Sequence, residues 1–183
     1  MIEGTLVNLR APLMLDLERN HRWINDREVT RFLSIRYEMA LAAEEAWMKN
    51  VATRPMDFLH TFFAIETRDG VHIGNTNFFN LSAENRAGEV GIMIGDKAYW
   101  SKGYGGDALT TLMRFGFDEM NLHRIELCVY EQNARAIACY RRCGFVDEAR
   151  QRDEIYQDGE YQDLLRMSVL RDEFYAKHGE TAS

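Results

Sequence analysis

Three glycines within four residues, Gly103, Gly105 and Gly106, stand between a strand-like run, Glu89–Ile94, and a helix-like run through Leu109, Leu112, Met113, Phe115 and Phe117. The whole stretch reads Trp100-Ser101-Lys102-Gly103-Tyr104-Gly105-Gly106-Asp107-Ala108. A backbone this bare of side chains can wrap around an oxyanion and aim its N–H groups at it, and the positive end of the following helix adds to the attraction. The feature fixes a strand, a turn and a helix in that order. It points to a cradle for a pyrophosphate.

A chain of 183 residues suits one domain over 1–183 with a substantial core, here expected over about 5–171 with a frayed C-terminal tail. No apolar run approaches the length of a membrane span, and Met1-Ile2-Glu3-Gly4 lacks the basic start and apolar stretch of a secretory signal. Both absences argue for a cytoplasmic protein with no membrane partner. The net charge of -7 argues against a nucleic-acid partner, which needs clustered Lys and Arg, and would attract a cationic substrate as readily as it keeps the chain in solution. Cys128, Cys139 and Cys143 form no disulfide framework. Cys139 and Cys143 lie four apart on an expected helix, but nothing nearby completes a metal site. No metal is expected, and the pair is read as small reduced core residues.

Along the chain, Leu6–Arg10 reads as a strand, Leu13 to about Ile24 as a helix with Leu13, Leu17 and Trp23 among its apolar positions, and Leu41–Ala52 as a second helix. Phe58–Glu66 and Val71–Leu81 read as strands around the turn signal Asp69-Gly70. Glu89–Ile94 is a third strand. Ile125–Tyr130 follows the glycine-started helix. Asn133 can cap the next helix, which Gly144 ends, and Phe145–Tyr156 and Tyr161–Leu170 form a last hairpin around Asp158-Gly159. Hairpins at both ends and a strand–helix–strand unit between them imply a mixed α/β sheet. It is mostly antiparallel, with one parallel crossover and helices packed on it.

Gly103 to Ala108 formally matches the dinucleotide fingerprint, with Glu126 near its acidic position. A dinucleotide turn would put the first glycine at the strand end, whereas Gly95 to Lys102 intervene here, and no further β–α units follow. A P-loop would need Gly-Lys-Ser/Thr after the glycines, which is missing. Glu89–Gly106 instead resembles the acetyl-CoA-binding motif of the GNAT N-acetyltransferase superfamily, Gln/Arg-x-x-Gly-x-Gly/Ala. That motif falls on Trp100, Ser101, Lys102, Gly103, Tyr104 and Gly105, with Trp100 in place of the usual Gln or Arg. Asn133, Ala136, Tyr140, Gly144 and Phe145 are similar to the family's Asn-x-x-Ala-x-x-x-Tyr-x-x-x-Gly-Phe block. From about Thr5 to Arg171 the chain resembles the Rim-type and polyamine-acetyltransferase branch.

The resemblance implies direct transfer of acetyl from acetyl-CoA, as co-substrate, to a primary amine in a ternary complex. Tyr140 is the implied general acid for the departing thiolate. Glu89 is the candidate base, acting through water, with Asp26 and His72 as poorer alternatives. Ile92, Met93 and Ile94 would offer backbone groups to pantetheine, and an N–H near Met93 would polarise the thioester carbonyl. Lys102, Gly103, Tyr104, Gly105 and Gly106 would hold the pyrophosphate, and Asn133 would contact pantetheine as well as capping its helix. The acceptor, a small-molecule amine or a protein N-terminus, would enter by the N-terminal helices and the last hairpin. There Trp23, Tyr37 and Trp47 are lining candidates, and the seven acids of Asp147–Asp163 either favour a cation or form a solvated face. Transfer of another acyl group or to oxygen, and a silent acyl-CoA-binding module, are the rival readings. The family also makes a homo-oligomer plausible.

Overall fold

The computed structural model of the chain describes residues 1–179. The elements are β1 (Ile2–Glu3), β2 (Val7–Arg10), α1 (Leu17–Ile24, entered by a 3-10 turn at Met14–Asp16), α2 (Arg27–Thr30), α3 (Leu41–Thr53), β3 (Thr61–Thr67), β4 (His72–Ser82), β5 (Ala87–Ile94), α4 (Tyr104–Asp118), β6 (Arg124–Tyr130), α5 (Ala134–Cys143), β7 (Val146–Gln157), β8 (Glu160–Leu170) and α6 (Arg171–His178). The strands follow the order β1-β2-β3-β4-β5-β6-β8-β7, mostly antiparallel with β5–β6 the parallel pair. The expected mixed α/β class is the class found. The chain divides into two compact units, residues 1–79 with 91–112, and residues 80–90 with 113 onward.

In the first unit, β2 pairs antiparallel with β3 from Val7↔Thr67 to Arg10↔Ala64, and β3 with β4 from Thr61↔Phe78 to Glu66↔His72. Val7, Asn8 and Leu9 are all buried in sequence, so β2 is covered on both faces rather than alternating. A 3-10 turn and α1 cover most of Leu13–Ile24, and the apolar positions do not by themselves mark the inward face. Leu13 is exposed and Leu17 half-buried, while Asp16, Asn20 and Trp23 are buried. Hydrophobicity alone points to the wrong face because polar partners are waiting inside. Arg10 donates to both Asp16 oxygens at 2.8 Å and to Glu66 at 2.6 Å. Burial pushes the Asp16 carboxyl up, but the bidentate Arg10 pair, the Leu13 N–H and His72 together hold it below the ordinary carboxylate value.

In the second unit, β5 pairs with β6 at Ala87–Glu89, β6 runs antiparallel to β8 from Arg124↔Leu170 to Tyr130↔Leu164, and β7 pairs with β8. Asp158 and Gly159 both have positive φ, 54° and 86°, which is the two-residue hairpin turn that the Asp-Gly pair announces. Three acids of this hairpin, Asp147, Glu148 and Asp163, are matched by arginines. Arg150 meets Glu131 and Asp163, Arg141 meets Asp147, and Arg124 meets Glu148. The cation-attracting reading of that segment is weakened accordingly.

Beyond β8 the structure departs from the frayed tail expected from the sequence. Residues 171–178 form α6, and its Phe174 is fully buried with its ring 5.2 Å from that of Phe117. Glu173 accepts from the Leu170 N–H at 2.9 Å, Arg171 donates to the Phe117 carbonyl at 3.0 Å, and Arg114 lies over the Phe174 ring. The expected tail residues 180–183 lie outside the described residues. The short β1 and α2 are also absent from the sequence reading, since two and four residues carry no measurable periodicity. Phe174→Ala should lower unfolding free energy by about 3–5 kcal/mol, as emptying a filled aromatic site does. Urea denaturation would read it, and a change below about 1 kcal/mol would show that α6 is dispensable.

Candidate functional site

The first unit holds the glycine turn. β5 ends at Ile94, and the N–H groups of Gly95 and Asp96 both donate to the Ile73 carbonyl, at 2.9 and 3.1 Å. Trp100, where the family motif has Gln or Arg, donates its indole N–H to the Ile94 carbonyl at 2.6 Å. The departure therefore exchanges one polar contact for another that fastens the loop to the strand. Ser101 and Gly103 take positive φ, 59° and 92°, and α4 starts at Tyr104. At Gly103 a side chain would be strained. At Gly105 it would not, since a Cβ there would meet only Ile94 Cγ1, at 3.5 Å. Glycine in a helix costs about 1 kcal/mol relative to alanine, and no packing at Gly105 demands it. A bare first turn with inner space to spare fits a ligand lying over it. The first N–H groups of a helix lack the usual partner four residues back within it, and those of Tyr104 and Gly105, which open α4, can serve an anion.

The turn is pinned from behind. The Asp107 carboxylate accepts from the N–H groups of Thr5, Leu6 and Val7 at 3.1, 2.7 and 3.0 Å. Nothing in the spacing of the sequence signals this link across 100 residues.

The same unit contains a cavity of about 340 Å³. Gly91, Ile92 and Met93 of β5 form one wall, and Ile24, Trp47 and Phe62 give it an apolar body. Its polar groups are Asn20, Glu44, Asn75 and Asn77. Of the three aromatic candidates only Trp47 lines it. Trp23 is core, packed 4.9 Å from the His72 ring, and Tyr37 is exposed. Burial pushes the Glu44 carboxyl above the ordinary value, and His21 opposes that only in part.

His72 and Asp26, the weaker base candidates, have structural roles. His72 is buried, which pushes its pKa down, and its Nε2 faces the Gly74 carbonyl at 2.9 Å and Asn75 Oδ1 at 3.2 Å. Asp26 caps α2 through the Glu28 N–H and pairs with Lys97 at 2.9 Å.

The second unit holds the other candidates. Asn133 caps α5 as expected, accepting from the Ala136 N–H at 3.2 Å, and Gly144 ends the helix with φ 110°. Tyr140 is on that helix, partly exposed, its ring 6.0 Å from Phe145. Burial pushes its phenol well up, and Cys139 and Cys143 act in the same direction, so it carries its proton at neutral pH. Glu89 on β5 sits opposite Glu126 and accepts from Asn80 at 3.0 Å. Burial pushes the neighbouring Cys128 thiol up, and Glu89 adds to the rise. Cys143 is core as expected, but Cys139 is only half-buried. A hydrogen bond with Cys143, helped by Arg142, outweighs burial and brings the Cys139 thiol down to about 7.

Among the described residues no cluster of three or more His, Cys, Asp or Glu could hold a metal ion, and no helix is long and apolar enough to cross a membrane. Residues 7–146 match the Acetyltransferase (GNAT) domain family. The chain is 28% identical over 169 residues to the spermidine N(1)-acetyltransferase of Vibrio cholerae, covering 92% of this chain and 95% of that protein. It is 33% identical over 106 residues to the putative ribosomal N-acetyltransferase YdaF of Bacillus subtilis, which spans 58% of this chain and 57% of the relative. A crystal structure of spermidine N-acetyltransferase from Vibrio cholerae in complex with CoA and spermine superposes with a TM-score of 0.81 at 25% identity, covering 93% of this chain and 98% of the other. The chain belongs to the GNAT acetyltransferase family. It is accordingly an acetyl-CoA-dependent N-acetyltransferase, and its relatives are consistent with the Rim-type and polyamine-acetyltransferase branch that its motifs resemble.

The thiol environments give a direct check. Iodoacetamide should label Cys139 before Cys128, with the Cys139 rate climbing through pH 7, because the thiolate is the nucleophile. Peptide mass spectrometry reads the order, and earlier labelling of Cys128 would contradict these environments.

Proposed function

We propose that the chain, as a single catalytic domain, acetylates a small cationic primary amine by direct attack on acetyl-CoA. Lys102 and the backbone from Gly103 to Gly106 receive the pyrophosphate. Ile92, Met93 and Ile94 offer main-chain groups to pantetheine, and the N–H near Met93 receives the carbonyl oxygen as it becomes an oxyanion. Asn133 borders pantetheine with whatever capacity its capping bond leaves. The amine nitrogen bonds to the carbonyl carbon and loses its proton through water to Glu89. The carbon–sulfur bond breaks, and the Tyr140 phenol gives its proton to the departing thiolate.

The observation that carries this reading is Gly105, bare in a helix turn whose packing does not require it. The protonated Tyr140 supports the acid role, and the wall that Gly91–Met93 gives the cavity supports an acceptor site there. A small amine agrees with relatives named for spermidine, and the free cysteines agree with a reducing, cytoplasmic setting. The family match runs through both compact units, which supports one domain.

Tyr140→Phe should reduce kcat by roughly 10²–10⁴-fold with a smaller change in KM for acetyl-CoA, as loss of a general acid does. Thiol release with a panel of primary amines measures it, and an unchanged kcat under chemistry-limited conditions removes Tyr140 from the role. Gly105→Val should keep the thermal midpoint near wild type while weakening CoA binding by at least about tenfold, since about 1.4 kcal/mol is enough for that. Wild-type CoA affinity in calorimetry would show that the turn is not the cradle. Tight CoA binding without transfer to any amine would identify a silent acyl-CoA module.

A further inference from the structure

Two buried polar residues stand in the cavity wall, and one of them, Asn20, carries a side-chain atom with no hydrogen-bond partner among the described residues. One is a donor and the other an acceptor. Asn20 is 1% exposed and Glu44 is 4% exposed. Both line the cavity whose other walls are largely apolar.

The orientation of Asn20 follows from a chain of bonds behind it. His72 Nε2 faces only acceptors, the Gly74 carbonyl and Asn75 Oδ1, so Nε2 carries the proton. Asn75 therefore turns its Nδ2 the other way, donating to Asn20 Oδ1 at 2.8 Å. With its oxygen occupied, Asn20 is left with Nδ2 as an unpartnered buried donor. Glu44 offers the opposite character from α3, a buried carboxyl in the same wall.

An unsatisfied buried group costs about 1–3 kcal/mol, and more for a charge. An unpartnered donor and a buried carboxyl in one cavity describe a ligand that would serve both. It brings an ammonium, or another cationic donor, to Glu44 and an oxygen acceptor to Asn20. An alkyl diamine meets the first demand and leaves the second open.

Resting on the proposed acceptor pocket, we propose that Asn20 and Glu44 are its specificity-determining pair and select a primary amine that also carries a carbonyl or hydroxyl oxygen. Asn75 and His72 are positioning residues, acting through Asn20.

The test compares β-alaninamide with 1,3-diaminopropane, which match in length and differ in the oxygen. Wild-type protein should favour the amide in kcat/KM by roughly tenfold, the worth of one buried hydrogen bond. Asn20→Asp keeps an acceptor for Asn75 but replaces the donor by a carboxylate, so the preference should invert towards the diamine. Glu44→Gln should raise KM for both amines by roughly tenfold, more than it lowers kcat, and Glu44→Asp should recover part of the loss. Calorimetric binding of the two amines to the CoA-loaded protein repeats the comparison without turnover. Should no amine be acetylated, the proposed reaction fails, while the binding preference still decides the pair. Equal affinity for the two amines, or a ratio unmoved by Asn20→Asp in a folded variant, overturns the proposal. So does a Glu44→Gln loss confined to kcat.

Discussion

The glycine turn works only if it is held still, and the Asp107 carboxylate is what holds it. Three backbone N–H groups, from Thr5, Leu6 and Val7, converge on one side chain in the first turn of α4. Hydrogen bonds to a charged acceptor are worth about 1.5–3 kcal/mol each, so together they outweigh the roughly 1 kcal/mol per glycine that the turn costs as a helix start. The same donors also occupy the carboxylate. Its charge faces N–H groups rather than lying uncompensated beside a site meant for a diphosphate. Trp100 completes the anchoring from the other side by bonding the last carbonyl of β5. A bare backbone thus becomes a fixed arrangement of donors, which is the condition for anion binding without reorganisation.

Charge elsewhere is arranged for order rather than for long-range attraction. The chain is acidic overall, yet the acid-rich hairpin meets arginines at both ends. Glu148 shows the effect most clearly. Its hydrogen bonds to Arg124 and Ser168 bring its carboxyl down to about 2. A carboxylate depressed in the folded state contributes stability above its ordinary value near 4.5 that is lost as pH falls towards 2, so this hairpin is firmest at neutral pH. The side chain is about a third exposed, which keeps the contribution small.

The mixed sheet, its single parallel crossover and the glycine-started helix were legible because each has a local cause. Asp69-Gly70 and Asp158-Gly159 announce turns, Asn133 and Gly144 bracket a helix, and dense β-branched and aromatic runs mark strands. The inward face of α1 was not legible, because Asp16 and Asn20 are buried by partners 6 to 56 residues away in the chain, Arg10, His72 and Asn75. α6 was missed for a related reason. Its burial rests on one residue, Phe174, in a segment otherwise charged, although Glu173 three positions after Leu170 is a start signal in hindsight. The cradle could be read from glycine spacing, since backbone exposure is a property of the residues themselves. The cavity could not, since Glu44 and Asn20 meet only through the packing of α1 and α3.

The buried polar chain behind that cavity is hard to explain as a source of stability. Asp16, His72, Asn75 and Asn20 are each at least nine-tenths buried, and apolar residues of similar volume would fill the same space without desolvating polar atoms. Arg10 offsets part of the cost at one end, where it neutralises Asp16. At the other end nothing does, because Asn20 Nδ2 finishes the chain unpaired. A purely structural network would close on itself, as networks that are fully satisfied do. This one is open at two atoms, His72 Nδ1, which lies 3.2 Å from Asp16 Oδ1, and Asn20 Nδ2, and of the two residues only Asn20 is in the wall of the cavity. The energy missing from the fold at Asn20 is available to whatever binds there.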